Sequence, residues 1–579
     1  MYQFQESLPK QPLPQLEHTC SHYLDAVSPL LSETELACTK AAVKKFQQEE
    51  GQKLQKQLET IASSTSTSYI DEFLDERFLE ARLPLVRKTN IAQVLSSFIG
   101  SEELSPTPVA AILIFNLLKF YLKIKTRSLE PDRDIFQIGR PALCMVQYDN
   151  LFGTSRIPGI KRDSLVRTQN SEHIIVIRRD RFYCLNLIKG EQLPTIEQIE
   201  QQLNWIIENT PDYDCAVGTL TTLPRTQWAV LRSYITSISP ANARSLALLD
   251  SALFVVCLDE TTPSNLKTSL ENAFYGDGQN RWFDKPVQII VTANCQAAIN
   301  IEHSGFDGYT VMRMTDEISQ KPHQEAPTLT AFEKWESPIQ LEWKLSPGIR
   351  EEIELAKKNI ANLKTQHHLQ VLEFQEFGAD FLRQHTLNVD AIVQLSIQLA
   401  YARLYGKIMC VTESVHTRNF QYGRFEDIRT VTSESVELIR VFSQASAKEA
   451  RYSALNAAIV AHMRRLFNCK KGLNVDLHLL ALYSLGRYQD MVPEMFLDKA
   501  YSQVFTQPVI WTSSLPGNMG IAGFVFVSPP VNYGYGVSYI INPEKITLCV
   551  TSQFSQPSEY TKLLNQSLSE LGDLLKTFK

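Results

Sequence analysis

The sequence has no excess of basic residues: 57 Lys and Arg stand against 63 Asp and Glu across 579 residues, a net charge of −6. A chain without a global positive field is a poor ligand for nucleic acid, which disfavours that class of function. Metal-ligand spacing is missing as well. The ten cysteines are dispersed from Cys20 to Cys549 with no C-x-x-C pair, so they read as reduced, mostly buried thiols and no metal site is expected. The opening MYQFQESLPKQPLPQLEHT contains no apolar stretch of signal-peptide length. Long apolar runs are absent too. The most apolar window, Val109 to Leu122, is interrupted by Asn116 and Lys119 and falls short of the roughly 20 residues of a membrane span, which predicts a buried helix. The final Lys576-Thr577-Phe578-Lys579 is no peroxisomal address, and with no export signal the expected location is the cytoplasm.

What is there is the composition of a folded protein, 44% hydrophobic and 21% charged. A chain this long exceeds one ordinary core, so two domains are expected. Ser32 to Ile61 has helical spacing and opens on the capping-box pattern Ser32-x-x-Glu35, which predicts one long surface helix interrupted at Ser63 to Ser68. Short apolar runs between turn residues predict strands from Cys144 to Leu187. Further strands are predicted over Leu253 to Leu258, Val287 to Ala293, Gly523 to Val527, Val537 to Ile541 and Ile546 to Thr551, with helices over Ile349 to Leu382 and Val389 to Tyr405. Strands mixed with helices throughout imply α/β layers. The proline-bearing stretch from Ser319 to Pro347 is the best linker and sets a boundary near residue 345.

One segment carries chemistry. The strand-like Ala297-Ala298-Ile299-Asn300-Ile301 ends in Glu302-His303-Ser304-Gly305-Phe306-Asp307-Gly308, placing an imidazole where a strand opens into a glycine-bounded turn. A lone histidine is more often packed or merely exposed than catalytic, and its company is what raises its weight. Asn280-Arg281-Trp282-Phe283-Asp284-Lys285 precedes it closely. Elsewhere, in order, come Leu8-Pro9, Phe78-Leu79-x-x-Arg82-x-Pro84-Leu85, Arg140-Pro141, Cys144-Met145-x-Gln147-Tyr148 and Ser155-Arg156-Ile157-Pro158-Gly159. Gln398-Leu399-Ala400-Tyr401, Thr412-Glu413-Ser414 and Tyr422-Gly423-Arg424-Phe425-Glu426-Asp427-Ile428-Arg429 follow. Together these blocks span nearly the whole chain, and in this order they resemble the carnitine/choline acyltransferase family.

The resemblance implies an α/β protein of two domains with mixed β-sheets, related to the chloramphenicol acetyltransferase-like fold, with an active-site tunnel between them. Residues 60–345 would form the catalytic-His domain, and 1–59 with 346–579 the second domain, carrying thioester-binding and acceptor-pocket segments. It further implies a monomeric O-acyltransferase in which His303 is the general base. An imidazole near pKa ~6.5 can take the proton of an alcohol as it attacks a thioester, with no acyl-enzyme. Thr512-Ser513-Ser514 is similar to the family segment whose last hydroxyl steadies the oxyanion, which assigns Ser514 to that role. Asp307 would pair with Arg424 and brace the His303 loop.

For the donor, Phe377-Gly378-Ala379-Asp380-Phe381-Leu382-Arg383 matches the family's phosphate-binding segment with its first basic residue replaced by Ala379 and its second kept as Arg383. Asp390, Glu413 and Ser414 match positions lining the CoA groove. The donor implied is acyl-CoA as co-substrate, with no bound cofactor. A pantetheine thioester on an acyl carrier protein, which lacks the 3′-phosphate, fits the loss at Ala379 too. For the acceptor, the positions that hold carnitine's carboxylate match Thr412, Phe425 and Leu477, and Phe73 and Phe78 stand where the family has aromatic residues. A carboxylate beside Leu and Phe with no cation would be strongly disfavoured. Choline enzymes are not matched closely either, so the expected acceptor is a neutral or apolar alcohol. The alternatives are a short- or medium-chain carnitine O-acyltransferase in which Arg429 or His478 catches the carboxylate, and a catalytically silent thioester-binding protein. Val525 matches an acyl-pocket position that is Met in short-chain and Gly in longer-chain members.

Overall fold

The computed structural model describes residues 1–98, 105–135, 139–212, 216–320, 336–385, 387–444, 446–517, 519–554 and 557–578. Most of the proposed linker, at 321–335, lies outside them. Two mixed sheets organise the chain. The eight-stranded sheet runs, in order, Ile521–Phe526, Asn90–Leu95, Ala297–Glu302, Val287–Val291, Val255–Leu258, His173–Arg178, Arg181–Asn186 and Ile339–Gln340. The six-stranded sheet runs His368–Phe374, Ile546–Ser552, Tyr535–Ile541, Ile510–Pro516, Val411–His416 and Phe425–Arg429.

The sheets are stitched together by Ile521–Phe526. The chain leaves the second sheet after Ile510–Pro516, lays this strand antiparallel on Asn90–Leu95 in the first, and returns to the second at Tyr535–Ile541. Glycines permit the crossing. A Cβ at Gly517 would lie 2.7 Å from the Asn542 Cα, and Gly520 has φ +67°, a left-handed conformation costly for other residues.

The helices follow local chemistry. The Ser32 capping box is formed, but helix Glu33–Gln48 stops at Glu49 and a second helix, Glu50–Ser64, replaces the single long one expected. The break has a packing reason: a Cβ at Gly51 would sit 2.6 Å from the Phe46 carbonyl oxygen, so the chain bends where only glycine fits. The apolar window forms helix Pro106–Lys125, long and apolar enough to cross a bilayer by length and composition, yet Val109, Leu113, Ile114 and Leu117 are fully buried against the first sheet's core. Val389–Tyr405 is helical as predicted. The helix expected over Ile349 to Leu382 is instead helix Pro347–Gln366, strand His368–Phe374 and a short helix Ala379–Gln384. Pairing of His368–Phe374 with Ile546–Ser552 overrides local propensity there.

Beneath the end of Ala297–Glu302 lies a buried charge array. Arg156, fully buried, donates from Nε to Asp163 Oδ2 (2.8 Å), from Nη1 to Glu302 Oε1 (3.1 Å) and Ser304 Oγ (2.6 Å), and from Nη2 to the Phe78 carbonyl (2.7 Å). Arg225 donates to the same Asp163 oxygen (2.7 Å) and to Asp284 Oδ1 (2.6 Å), whose other oxygen accepts from Trp228 Nε1 (2.6 Å). Burial alone would raise the Asp163 carboxyl, but Arg225 and Arg156 outweigh it and hold it below its ordinary value. Asp163→Ala would leave two buried guanidiniums undercompensated, a loss of about 3–5 kcal/mol. Urea unfolding should show it as a lowered midpoint at unchanged slope.

Candidate active site

His303 stands one residue past strand Ala297–Glu302, half-buried, and its loop is fixed from three sides. From its own sheet, the His303 amide donates to the Thr89 carbonyl (3.3 Å). From the second sheet, Arg424 donates Nη2 to the His303 carbonyl (3.2 Å) and Nη1 to the Ser304 carbonyl (2.9 Å). The same guanidinium grips Asp307 with both arms, Nε to Oδ2 (2.7 Å) and Nη2 to Oδ1 (3.0 Å). A bidentate pair fixes orientation as well as distance. Gln147 closes the third side. Its Nε2 donates to Asp307 Oδ2 (2.8 Å) and the Gly423 carbonyl (3.1 Å), and its Oε1 accepts from the Asp307 amide (2.9 Å) and Thr310 Oγ1 (2.8 Å). The sequence motifs contained Gln147 but gave no reason to single it out; its partners come from two distant segments.

The imidazole meets the Phe78 ring edge-on at 5.6 Å, Phe78 meets Phe425 at 6.2 Å, and the Arg424 guanidinium lies over Phe78 at 5.3 Å. Among the described residues neither ring nitrogen of His303 has a hydrogen-bond partner. Burial lowers the His303 pKa from its ordinary value; Asp307 and Glu302 oppose that fall, and Arg424 and Arg156 add to it. The ring is therefore neutral at pH 7, the form a base requires.

The remaining sequence-predicted residues divide. Phe78 and Phe425 join His303, whereas Phe73 stacks on Tyr488 (6.4 Å) and lies with Leu477 in the core of the N-terminal helices. Thr412 is buried with Oγ1 donating to the Ile510 carbonyl (3.3 Å). Arg429 is committed to Asp476 (2.5 Å) and the Val504 carbonyl (2.7 Å). His478 is bonded to Thr19 (2.7 Å), and burial lowers its pKa to about 3. Ser514 lies beside Tyr539 in the register and therefore shares the face of Thr512, which accepts from Gln394 (2.7 Å). Its neighbours Ser513 and Leu515 take the opposite face, where Leu515 Cδ2 lies 3.9 Å from a Cβ built on Gly308 at the end of the His303 loop.

On the donor side, Arg383 is 67% exposed, 3.2 Å from Asp380 on the preceding turn. Ser414 Oγ donates to Asp427 Oδ1 (2.6 Å). Asp390 accepts from Tyr539 OH (2.6 Å) and lies 3.2 Å from His462 Nε2, which is 3.6 Å from Glu413. His462 had no sequence signal. Asp390, Glu413 and His462 bring ligand atoms within 4.8 Å of one another, close enough to hold a cation. Burial first, and then the neighbouring Asp390, push the Glu413 carboxyl well above its ordinary value. Val525 lines a cavity of ≈ 490 Å³ with Leu270, Phe274, Tyr275, His367 and Leu369.

The family described as Choline/Carnitine o-acyltransferase matches residues 11–570. The chain is 30% identical to carnitine O-acetyltransferase of Homo sapiens, over 92% of this chain and 87% of that one. It is 28% identical to peroxisomal carnitine O-octanoyltransferase of Bos taurus (99% and 97%) and 28% identical to choline O-acetyltransferase of Homo sapiens (98% and 79%).

Arg424→Met removes a cation that lowers the His303 pKa and unmasks Asp307, which raises it. The His303 ring should titrate below its ordinary value near ~6.5 in the parent and at higher pH in the variant, as followed by proton NMR.

Proposed function

This chain belongs to the choline/carnitine O-acyltransferase family, and on that premise we propose that His303 is the general base of acyl transfer from a pantetheine thioester to an alcohol other than carnitine or choline. The enzyme class, an O-acyltransferase acting on a hydroxyl acceptor, follows from membership and from the relatives' activities. The observation that carries the assignment of His303 is its ring, with its pKa lowered by burial and no hydrogen bond to a described residue, beside Phe78 on a loop held by the Arg424–Asp307 clamp. The acceptor's hydroxyl oxygen attacks the thioester carbonyl while His303 takes its proton. The tetrahedral intermediate collapses, the carbon–sulfur bond breaks, and the proton passes to the leaving thiolate, giving ester and thiol with no acyl-enzyme. Asp307 and Arg424 are positioning residues in this scheme: they touch the loop, not the reacting atoms.

The oxyanion needs a donor. Ser514 is the family-matched hydroxyl, and Ser513 is the neighbour that faces the His303 loop. Loss of the true donor should cost about 10²–10³ in kcat, so Ser513→Ala and Ser514→Ala measured side by side identify it.

The donor is acyl-CoA, or the same pantetheine arm on a carrier protein. Exposed Arg383 can meet a phosphate, with Asp390, Glu413 and Ser414 along the groove. The cavity walled by Val525, Leu270, Phe274 and Leu369 suits the acyl chain. Leu477 and Phe425 argue against carnitine, as does the engagement of Arg429 and His478 with other groups. Thiol release from acetyl-CoA and octanoyl-CoA, screened against carnitine, choline and a panel of other alcohols, is the test. Turnover with an alcohol other than carnitine or choline, abolished in His303→Ala and falling with acid at a midpoint below ~6.5, is expected. Fast carnitine turnover would overturn the acceptor assignment. Full activity in His303→Ala would overturn the mechanism.

A further inference from the structure

Cysteine spacing offers this chain no metal site, but oxygen and nitrogen ligands drawn from three separated segments escape any spacing rule. Asp390 is the second residue of helix Val389–Tyr405, Glu413 lies inside strand Val411–His416, and His462 is on helix Lys448–Lys470. Where these elements pack, His462 Nε2 stands 3.2 Å from Asp390 Oδ2 and 3.6 Å from Glu413 Oε2, and one ligand atom from each residue lies within 4.8 Å of the others. Ligand atoms about 2.0–2.2 Å from a tetrahedral ion sit roughly 3.3–3.6 Å apart. Both distances from the imidazole are close to that separation.

Hydrogen bonding within the group leaves one acid without a donor. Glu413 is 4% exposed and His462 1%, and Glu413 Oε2 is buried with no hydrogen-bond partner among the described residues. The imidazole Nε2 carries one proton at most, and that proton is at hydrogen-bond distance from Asp390 and not from Glu413. Among the described residues no Lys or Arg nitrogen comes within 4.0 Å of either carboxylate. Two carboxylates therefore share one imidazole, an arrangement that a divalent cation neutralises. The outer partners suit such an ion. Tyr539 OH donates to Asp390 Oδ1 (2.6 Å), leaving Oδ2 for the imidazole side, and Gln394 Nε2 donates to both Tyr539 OH (2.9 Å) and Thr512 Oγ1 (2.7 Å). Carboxylate ligands of metals are oriented by hydrogen bonds of this kind. The Asp390 side chain is 20% exposed, which gives an ion its way in from solvent.

We propose that Asp390, Glu413 and His462 form a binding site for a divalent transition metal ion, with two carboxylate oxygens, one imidazole nitrogen and a water completing the tetrahedron. Two oxygens and a nitrogen with no thiolate suit Zn²⁺ and disfavour soft Cu⁺. The ion pins helix Val389–Tyr405 and helix Lys448–Lys470 to strand Val411–His416 of the second sheet, a structural role that needs no acyl transfer. It stands apart from the assignment of His303, whose failure leaves it untouched.

The test takes the full chain, stripped with a chelator and dialysed, and titrates it with zinc chloride in a calorimeter. One Zn²⁺ per chain is expected, with a higher melting temperature once it is bound. X-ray absorption of the loaded protein should show only nitrogen and oxygen neighbours at about 2.0–2.2 Å. Tyr539→Phe should weaken the affinity about 10–100-fold by freeing Asp390. Glu413→Gln and His462→Gln should abolish the stoichiometric event while circular dichroism shows them folded. Where a ligand variant fails to fold, Tyr539→Phe and the absorption spectrum of the parent decide. No binding by the parent, sulfur neighbours at about 2.3 Å, or undiminished affinity in Glu413→Gln or Tyr539→Phe overturns the site.

Discussion

The guanidinium of Arg424 is the joint on which this architecture turns. It is rooted just before strand Phe425–Arg429 in the second sheet, and its hydrogen bonds to described residues end in the loop that closes strand Ala297–Glu302 in the first. A cation in so enclosed a place is stable only because two carboxylate oxygens and two carbonyls replace its hydration shell. The same contacts fix where the imidazole can be. A one-point tether would leave the loop free to swing, whereas a planar fork satisfied on both arms defines an orientation.

Electrostatics around the two sheets follow burial. His303 is kept neutral by burial and by two nearby guanidiniums. Burial and the neighbouring Asp390 push the Glu413 carboxyl well above its ordinary value. Glu426, beside Phe425, is pushed up to about 8 chiefly by burial and accepts from the Leu477 amide (3.0 Å). Asp427 and Asp476 are met by Arg77 and Arg429, and burial and the nearby Asp476 raise the Asp427 carboxyl above its ordinary value.

The sequence disclosed most of this where local chemistry and spacing carry the signal. Strand alternation, the Ser32 capping box and the His303 loop are short-range patterns and were legible. Asp307 with Arg424 was legible through resemblance, since the two lie far apart in the chain. What stayed hidden depends on tertiary placement. Strand His368–Phe374 continues a helix-like pattern and becomes a strand only because Ile546–Ser552 is beside it. The helix break at Glu49 follows from the contact between Gly51 and Phe46. Gln147 bonds Asp307 and Gly423 across long separations.

The crossing of Ile521–Phe526 into the first sheet has a consequence for biogenesis. Until that strand is synthesised, Asn90–Leu95 presents a bare row of amides and carbonyls on one side, a template for unwanted pairing. Its proper neighbour arrives more than four hundred residues later, with a correspondingly large loop-closure cost. A nascent chain stalled before the last tenth of its length would carry an adhesive seam along Asn90–Leu95.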